Sequence, residues 1–466
     1  MKVFGTAGIR MRYGDELDPL LALRIGNAVG RLGISKEAYI VHDTRTTSHV
    51  VSYAVSSGLM SAGVNVIYVG TAPTPVAAYS ASKYRSLGVS ITASHNPPEY
   101  NGMKFYDNNG YEFTRDLEAE IEKMLDEHPR YVEWSRVGQA SVSHHVLDEY
   151  VEDLLNFVEK PRTAKPVNIV LDCANGASYY VAPLLVRALG AKPITLNCNP
   201  DGYFPIRPPE PRKDVLEGLL DKYSVFKPHA IFAFDGDADR LAVLDPLSGF
   251  IRQDRLLAFY AKKALESRKG HVVVSIDTGY VVDDVVLEMG GTVERYNLGK
   301  THERVKELGR QNVIMAGEPW KLILTEWGPW VDGVLQVALL TKYLVETGKN
   351  ISKLLDDERI PDYPWDRRSY LLDPPEIREL VYRDLVDEMS CLLGDPVRVI
   401  DIDGYRFEYK DRSWVLVRKS GTEPKLRIYA EAGTSERLVT MVEKVERKIH
   451  EITNRRGGRI LEVTIG

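Results

Sequence analysis

Residues 167–197, VNIVLDCANGASYYVAPLLVRALGAKPITLN, carry the pattern on which the fold prediction rests. An apolar strand ends at Asp172, a helical stretch ends near Gly190 where a helix C-cap belongs, and a second apolar strand follows. The same order recurs in two further segments, residues 38–70 (Asp43, Gly63) and residues 271–299 (Asp277, Gly291). A strand, a helix and a strand in this order predict a βαβ unit, so we expect three successive domains of one α/β type.

The last hundred residues follow a different pattern. A helical segment, residues 377–393, precedes four short apolar strands, and a charged helical segment begins at Ser435. This order predicts a compact α+β domain at the C-terminus. The predicted fold class is therefore α/β with four domains, at residues 1–145, 146–246, 247–362 and 363–466.

Length, charge and cysteine content limit the possible functions. A chain of 466 residues exceeds what one hydrophobic core usually serves. The net charge of -6 provides no general attraction for nucleic acid or for an anionic membrane. The three cysteines, Cys173, Cys198 and Cys391, have no short metal-ligand or redox spacing, which favours a reducing compartment. No apolar run is typical of a signal peptide or a membrane span, so we expect a cytosolic protein.

The most specific motif is an acidic loop, IFAFDGDADR, at residues 231–240. An apolar strand runs into Asp235, Asp237 and Asp239, whose carboxylates repel one another unless a cation lies among them. Oxygen ligands in this number suit Mg²⁺. A calcium EF-hand loop is excluded, because its twelfth residue would be Pro246 instead of glutamate. A phosphatase with Asp235 as nucleophile is the alternative that the loop leaves open.

Three further loops follow apolar strands. GVSITASHNPPEYNGMKF, residues 88–105, contains Ser94, with Lys104 ten residues further on. WVLVRKSGTEPKLRIYAEA, residues 414–432, combines a glycine loop with hydroxyls and an arginine, a combination suited to a phosphate dianion. VIMAGEPWKL, residues 313–322, offers a glutamate and an aromatic ring of the kind that binds sugars. Each of these three loops alone is also compatible with an ordinary turn or cap.

In this order, the four loops resemble those of the α-D-phosphohexomutase superfamily, which includes phosphoglucomutase, phosphomannomutase, phosphoglucosamine mutase and some phosphopentomutases. The resemblance extends from FGTAGIR (4–10) through TASHNP (92–97) and DGDADR (235–240) to RKSGTEP (418–424). It implies four domains around a central cleft, and these carry in turn the phosphoserine, the metal, the sugar site and the phosphate site.

The resemblance also implies site residues. Ser94 would be the phosphoserine and, with Asp235, Asp237 and Asp239, a ligand of Mg²⁺. The remaining expected residues comprise a reaction centre (Arg10, His95, Lys104, Arg240), a sugar site (Glu318, Trp320, Lys321) and a phosphate clamp (Arg418, Ser420, Gly421, Thr422). A sugar phosphate would be the substrate and a sugar bisphosphate the intermediate and activator.

The implied activity is that of a phosphosugar mutase interconverting the 1- and 6-phosphates of glucose or mannose. The sugar loop departs from the family pattern, because most hexose enzymes have Gly-Glu-x-Ser-Gly where this chain has Trp320 and Lys321. A phosphopentomutase or a phosphoglucosamine mutase is therefore an alternative, and a magnesium-dependent sugar phosphatase is an alternative of another class. A catalytically silent sugar-phosphate binder is disfavoured, since it would have no evident need of both Ser94 and the aspartates.

Overall fold

The computed structural model describes residues 2–5, 8–420 and 424–465. Its strands form four sheets that follow one another along the chain. The first three sheets are mixed and the fourth is antiparallel, so the predicted four-domain α/β architecture is confirmed. We call the four sheets, each with its helices, the first to fourth units. The predicted domain boundaries stay predictions.

The first unit provides the loop with Ser94. Its elements are β1 (Ile9–Arg12), α1 (Pro19–Arg31), β2 (Glu37–His42), α2 (Ser48–Ser61), β3 (Asn65–Thr71), α3 (Thr74–Tyr84), β4 (Leu87–Ile91), β5 (Tyr100–Tyr106), α4 (Arg115–Leu125), a 3₁₀ helix (Trp134–Arg136) and β6 (Ala140–Val142). The strand order is β1-β5-β4-β2-β3-β6. Strands β2, β3, β4 and β6 are parallel, whereas β5 runs antiparallel to β4. The chain therefore reverses between β4 and β5, in the loop that carries Ser94.

The second unit provides the acidic loop. Its elements are α5 (Val146–Val158), β7 (Asn168–Asp172), a 3₁₀ helix (Ala177–Tyr179), α6 (Val181–Ala188), β8 (Lys192–Leu196), α7 (Lys213–Glu217), α8 (Leu220–Ser224), β9 (Ala230–Phe234), β10 (Leu241–Asp245) and β11 (Gly249–Phe250). The strand order is β11-β10-β9-β7-β8, and β10 reverses direction against β9. The acidic loop occupies that reversal.

The third unit repeats this arrangement. Its elements are α9 (Gln253–Ser267), β12 (His271–Ser275), α10 (Tyr280–Glu288), β13 (Thr292–Tyr296), α11 (Thr301–Leu308), β14 (Val313–Glu318), β15 (Lys321–Leu324), α12 (Gly333–Thr347) and α13 (Ile351–Asp357). The strand order is β13-β12-β14-β15, with β15 antiparallel to β14. The three units thus place the serine, the acidic loop and the sugar loop at equivalent strand reversals.

The fourth unit has two strands that the sequence did not reveal. Its elements are β16 (Trp365–Asp373), α14 (Ile377–Leu393), β17 (Arg398–Ile400), β18 (Tyr405–Glu408), β19 (Trp414–Lys419), β20 (Lys425–Glu431), α15 (Ser435–Arg455) and β21 (Arg459–Ile465). The strand order is β17-β18-β19-β20-β16-β21. The predicted helices and four short strands are present. The strands β16 and β21 were missed because polar residues interrupt their apolar pattern.

Two of the three predicted helix-ending glycines have the left-handed backbone that this position favours. Gly63 follows α2 with φ of 85° and Gly190 follows α6 with φ of 92°. The third prediction, Gly291, is wrong by one residue. Helix α10 ends at Glu288, and Gly290, with φ of 72°, takes the left-handed conformation instead.

Helix α12 joins the first three units through one hydrophobic core. It is buried against α5 and α6, and its residues belong to one hydrophobic cluster that extends through the helices of the first three units. A continuous core of this kind resists relative motion of the elements that build it. The three loops at the strand reversals are therefore held at fixed mutual distances.

Cys173 and Cys198 form a disulfide, although they are 25 residues apart in sequence. The expectation of a reducing compartment did not anticipate this bond. The pairing arises because Cys173 follows β7 and Cys198 follows β8, and these two strands are parallel neighbours. None of the helices in the described ranges is long and apolar enough to span a bilayer.

Candidate active site

Ser94 lies in the loop between β4 and β5 with its side chain fully buried. Its φ of 51° is left-handed, which is uncommon for a residue other than glycine. The backbone N–H donates to Thr92 Oγ1 at 2.8 Å, and the hydroxyl donates to Asp235 Oδ2 at 2.8 Å. The predicted phosphoserine is thus in direct contact with the predicted metal loop, 141 residues away in sequence.

Asp235, Asp237 and Asp239 converge as predicted. One carboxylate oxygen from each lies within 4.8 Å of the others, and all three side chains are buried. Among the described residues, Asp237 Oδ1 and Asp239 Oδ1 have no hydrogen-bond partner. Buried carboxylate oxygens without a partner are costly unless a cation compensates them. The residues present therefore fit a hard divalent cation.

The surroundings shift the pKa values of Asp235 and Asp239 in opposite directions. Burial, together with the charges of Asp237 and Asp239, raises the pKa of Asp235 well above its usual range. Burial acts in the same direction on Asp239, but Lys104, Lys321 and Arg240 outweigh it and lower the pKa of Asp239. Asp239 is accordingly the carboxylate held in its ionised form by the surrounding cations.

Four cationic side chains surround the acidic loop. Lys104 Nζ donates to Asp237 Oδ2 at 3.0 Å and to Asp239 Oδ2 at 2.6 Å. Arg240 Nε lies 3.9 Å from oxygens of both Asp235 and Asp239. The others are Arg10 and Lys321. Burial, and after it the charges of Arg240, Arg10 and Lys321, lower the pKa of the His95 imidazole well below its usual value. The centre thus holds a dense, nearly balanced set of charges.

His95 and Arg10 lie beside the serine. His95 Nδ1 is 3.3 Å from Ser94 Oγ and 3.2 Å from an Arg10 guanidinium nitrogen. Arg10 is brought in by β1, which pairs with β5 so that Arg10 lies opposite Gly102. All four residues expected at the reaction centre are therefore in one place, around Ser94 and the acidic loop.

The sugar loop is a two-residue turn between β14 and β15. Glu318 Oε1 accepts hydrogen bonds from Thr301 N at 3.2 Å and Thr301 Oγ1 at 2.8 Å, and Lys321 Nζ lies 3.8 Å from Glu318 Oε2. Trp320 has φ of 67° and packs its ring against an apolar cluster of the second unit. Its carbonyl accepts from Leu241 N at 3.0 Å. The contribution of Trp320 to sugar binding stays a prediction.

The phosphate clamp is described in part. Arg418 on β19 donates from Nε to Asp403 Oδ2 at 2.9 Å, and Ser420 is buried at the end of that strand. Gly421 and Thr422 lie outside the described residues. Arg367 on β16, which sequence reasoning missed, lies on the same face of the fourth sheet as Arg418. Its guanidinium carbon is 4.6 Å from the Tyr429 ring centroid.

Sequence reasoning also missed several residues that hold the loops in place. Thr74 Oγ1 donates to Asp237 Oδ2 at 2.7 Å, and Thr301 holds Glu318 as described above. Arg45 donates to the backbone carbonyls of Ser94 and Asn96 in the loop between β4 and β5, which we call the serine loop. The aspartate at the end of β2, Asp43, was noted from the strand pattern. An arginine two residues after it was the signal that could have led to Arg45.

Four family models match the chain in sequence. They are described as phosphoglucomutase/phosphomannomutase alpha/beta/alpha domains I, II and III, at residues 1–131, 148–248 and 252–360, and the C-terminal domain at residues 380–448. Together they span all four units.

Curated relatives are similar over nearly their whole length. A phosphopentomutase of Thermococcus kodakarensis is 38% identical over 94% of this chain and 95% of its own. A protein of Methanopyrus kandleri named probable phosphoglucosamine mutase is 37% identical over 97% of this chain and 99% of its own.

Solved structures share the fold. A phosphoglucomutase/phosphomannomutase family protein from Burkholderia thailandensis has a TM-score of 0.84 and 25% identity, covering 98% of this chain and 99% of its own. An N-acetylphosphoglucosamine mutase from Aspergillus fumigatus, solved with GlcNAc-6P and magnesium, has a TM-score of 0.57 and 16% identity, covering 97% of this chain and 96% of its own.

Proposed function

The chain belongs to the phosphoglucomutase/phosphomannomutase family and is an isomerase of its mutase type, and from this premise we propose that it interconverts the 1- and 5-phosphates of a pentose. The relative from Thermococcus kodakarensis, named a phosphopentomutase, supports this choice. The sugar loop is the observation that carries it.

Lys321 stands where hexose enzymes of the family have glycine, and Trp320 stands where they have serine. The lysine side chain therefore fills space that glycine would leave open. Its Nζ lies 3.8 Å from Glu318 Oε2, and its charge acts with that of Lys104 to lower the pKa of Asp239. The serine hydroxyl that would meet a hexose is missing, and the Trp320 ring packs against the second unit. A smaller sugar fits these changes best.

In the proposed reaction, phosphorylated Ser94 gives its phosphoryl group to a sugar hydroxyl. The bond between Ser94 Oγ and phosphorus breaks, and a bond from the sugar oxygen to phosphorus forms. In the net step, the proton of the sugar hydroxyl ends on Ser94 Oγ. His95, with Nδ1 at 3.3 Å from Ser94 Oγ, is placed to carry that proton.

The three aspartates, with an oxygen of the serine phosphate, would hold Mg²⁺, which when bound supplies neutralisation of the phosphoryl charge. Lys104 and Arg240 add positive charge to the same region and orient the aspartates. Burial of Ser94 excludes water, which would otherwise compete with the sugar hydroxyl for the phosphoryl group.

The second transfer returns a phosphoryl group to Ser94. The sugar bisphosphate turns end for end, and the bond between its other phosphate and the sugar breaks as the Ser94 Oγ bond to phosphorus forms again. Arg418 and Ser420 would hold whichever phosphate is not reacting. Net chemistry is isomerisation, with the serine phosphorylated before and after.

The test is a panel assay by ³¹P NMR with Mg²⁺ and a trace of the matching bisphosphate. Ribose, deoxyribose, glucosamine, glucose and mannose phosphates are offered in parallel to wild type and to Ser94→Ala. We expect fastest interconversion of a pentose phosphate by wild type and a loss of at least about a thousandfold in Ser94→Ala, since the nucleophile is gone. Release of inorganic phosphate without isomerisation would instead establish a phosphatase.

A phosphoglucosamine mutase is the second candidate. Relatives at 34 to 37% identity bear the name probable phosphoglucosamine mutase, which supports a hexosamine phosphate as the alternative substrate. In the same assay, a glucosamine phosphate turned over faster than every pentose phosphate would replace our proposal by this one. Preference for a glucose or mannose phosphate would restore the expectation drawn from the family's hexose enzymes.

A further inference from the structure

Arg45 lies next to the reaction centre and is hydrogen-bonded through every nitrogen of its guanidinium. It contacts the backbone of Ser94, but not the side chains of the residues expected to bind metal or sugar. Its side chain has no exposed surface. The guanidinium Nε donates to Asp43 Oδ2 at 2.9 Å. One terminal nitrogen donates to the carbonyls of Pro97 and Tyr100, at 2.5 and 2.9 Å. The other donates to Ser94 O at 3.0 Å and Asn96 O at 2.7 Å.

All five N–H donors of this guanidinium are therefore used. Four of them bind carbonyls, three in the loop between β4 and β5 and the fourth at Tyr100, the first residue of β5. Ser94 and Asn96 lie outside the strands, so their carbonyls need donors other than a strand ladder. A planar fork with donors at fixed angles sets the relative directions of the four carbonyls together. Arg45 thus determines the shape of the loop that presents Ser94.

The backbone N–H of Ser94 is held through Asp43, the residue that also pairs with Arg45. Ser94 N donates to Thr92 Oγ1 at 2.8 Å, and Thr92 Oγ1 donates to Asp43 Oδ2 at 2.7 Å. Asp43 is also the partner of Arg45 and accepts from the Ser48 hydroxyl at 2.7 Å. We call Asp43, Arg45 and Thr92 the serine cradle, because it holds both backbone polar groups of Ser94.

Ser94 needs such support because its backbone is left-handed, a conformation that side chains other than glycine adopt only when their surroundings impose it. The acidic loop also lies close, since a Cβ added to Gly236 would come within 2.6 Å of Ser94 O. A small rotation of the Ser94 peptide would therefore collide with the acidic loop or turn Ser94 Oγ away from Asp235.

We propose that Arg45, acting through the serine cradle, is the positioning residue for phosphoryl transfer at Ser94, and that it sets kcat without contributing to substrate affinity. The charge of Arg45 is balanced by Asp43, so its role is directional and does not consist of attracting phosphate. The proposal rests on the proposed function, in which Ser94 is the phosphorylated residue.

The test compares wild type, Arg45→Lys and Arg255→Lys. Lysine keeps the charge and the partner Asp43 but cannot form the planar fork. Arg255 is the matched control, because it is also buried and donates to a carbonyl, that of Ile360 at 3.1 Å, in a part of the third unit that does not contact the serine loop. Steady-state kinetics use the sugar phosphate that wild type converts fastest. The rate of Ser94 phosphorylation by the corresponding bisphosphate is followed by intact-protein mass spectrometry.

We expect Arg45→Lys to lower kcat and the Ser94 phosphorylation rate by at least about tenfold, because small misplacements of a reacting group are costly. KM should stay within about twofold, since affinity depends on the phosphate clamp in the fourth unit. Arg255→Lys should lower the melting temperature to a similar degree while keeping the wild-type phosphorylation rate.

Three outcomes overturn the proposal: a wild-type phosphorylation rate in Arg45→Lys, a raised KM with kcat unchanged, or an equal slowing in Arg255→Lys. If Arg45→Lys does not fold, Thr92→Val decides, because it frees the Ser94 N–H and leaves the arginine in place. A wild-type phosphorylation rate in Thr92→Val would then reject the cradle. Absence of phosphorylation in wild type itself would reject the proposed function before Arg45 is judged.

Discussion

At the scale of single residues, the acidic loop assigns a different environment to each aspartate. Asp235 accepts a hydrogen bond from the Ser94 hydroxyl. Asp237 accepts hydrogen bonds from Thr74 and Lys104. Asp239 accepts one from Lys104 at 2.6 Å. Lys104 therefore holds two of the carboxylates in position. The oxygens that lack a partner among the described residues, on Asp237 and Asp239, are those best placed to receive a cation.

Asp239→Asn should remove most of the divalent-cation binding. The amide carries no charge, and Mg²⁺ strongly prefers anionic oxygen ligands. We expect Mg²⁺ to raise the melting temperature of wild type and to leave that of Asp239→Asn nearly unchanged. Thermal unfolding over a Mg²⁺ titration measures this without any activity assay.

Asp245→Asn is the matched control for that prediction. Asp245 is also buried and is the last residue of β10 in the second unit, but its oxygens accept backbone N–H groups of Leu247, Ser248 and Ser352. Its variant should keep the stabilisation by Mg²⁺. If Mg²⁺ raised the melting temperature of Asp239→Asn as much as that of Asp245→Asn, the acidic loop would not be the site that binds the cation.

At the scale of elements, the N-terminus of α12 is held by one buried side chain. Asp332 accepts from Val334 N and Leu335 N, and it also accepts from Tyr150 Oη on α5 and from Trp327 Nε1, each at 2.9 to 3.0 Å. A single carboxylate thus caps a central helix and joins it to the second unit. The position of α12 depends on that carboxylate.

Asp332→Ala should therefore destabilise the protein more than loss of an ordinary cap. Removing an exposed N-cap costs about 1 kcal/mol. Each buried donor left without a partner adds about 1 to 3 kcal/mol. Asp18→Ala is the comparison, because Asp18 caps α1 through one bond to Leu21 N at 2.7 Å. Thermal unfolding should show the larger drop for Asp332→Ala, and equal drops would contradict the assigned role of Tyr150 and Trp327.

At the scale of the whole molecule, the fourth unit is attached to the third through a buried acidic residue. Glu431 on β20 forms an ion pair with Arg252 and accepts from Tyr280 N at 2.8 Å, at the start of α10. Arg406 on β18 adds hydrogen bonds to the carbonyls of Ile276 and Thr278, at 2.8 and 2.7 Å. These contacts hold the sheet that carries Arg418 against the third unit.

Glu431→Ala should loosen this attachment and raise KM for the sugar phosphate by about five- to tenfold, with a smaller change in kcat. The physical reason is that the phosphate clamp would lose its fixed position, so binding would have to order it. Steady-state kinetics and hydrogen exchange at residues 276–280 measure the effect together.

Glu446→Ala provides the control, since Glu446 pairs with Arg368 inside the fourth unit at 2.6 Å and does not contact the third. It should leave both KM and exchange at residues 276–280 unchanged. If Glu431→Ala showed faster exchange at residues 276–280 but an unchanged KM, the attachment of the fourth unit would not contribute to substrate binding.

The fold class and the principal loops could be predicted from the amino-acid sequence. Alternating strand and helix patterns are local properties of the chain, and they indicated βαβ units before any contact was known. Ser94 and the three aspartates could be predicted because each follows an apolar strand within a short, distinctive motif. The family resemblance then assigned their expected roles.

Contacts between residues far apart in the chain became evident only from the folded structure. Arg45 lies 49 residues before Ser94, Thr301 lies 17 before Glu318, and Cys173 and Cys198 meet through neighbouring strands. The packing of the Trp320 ring against the second unit is a further contact of this kind, and its contribution to sugar binding stays a prediction. Such contacts depend on strand order and on the packing of complete units, whereas sequence patterns encode the period of one element at a time.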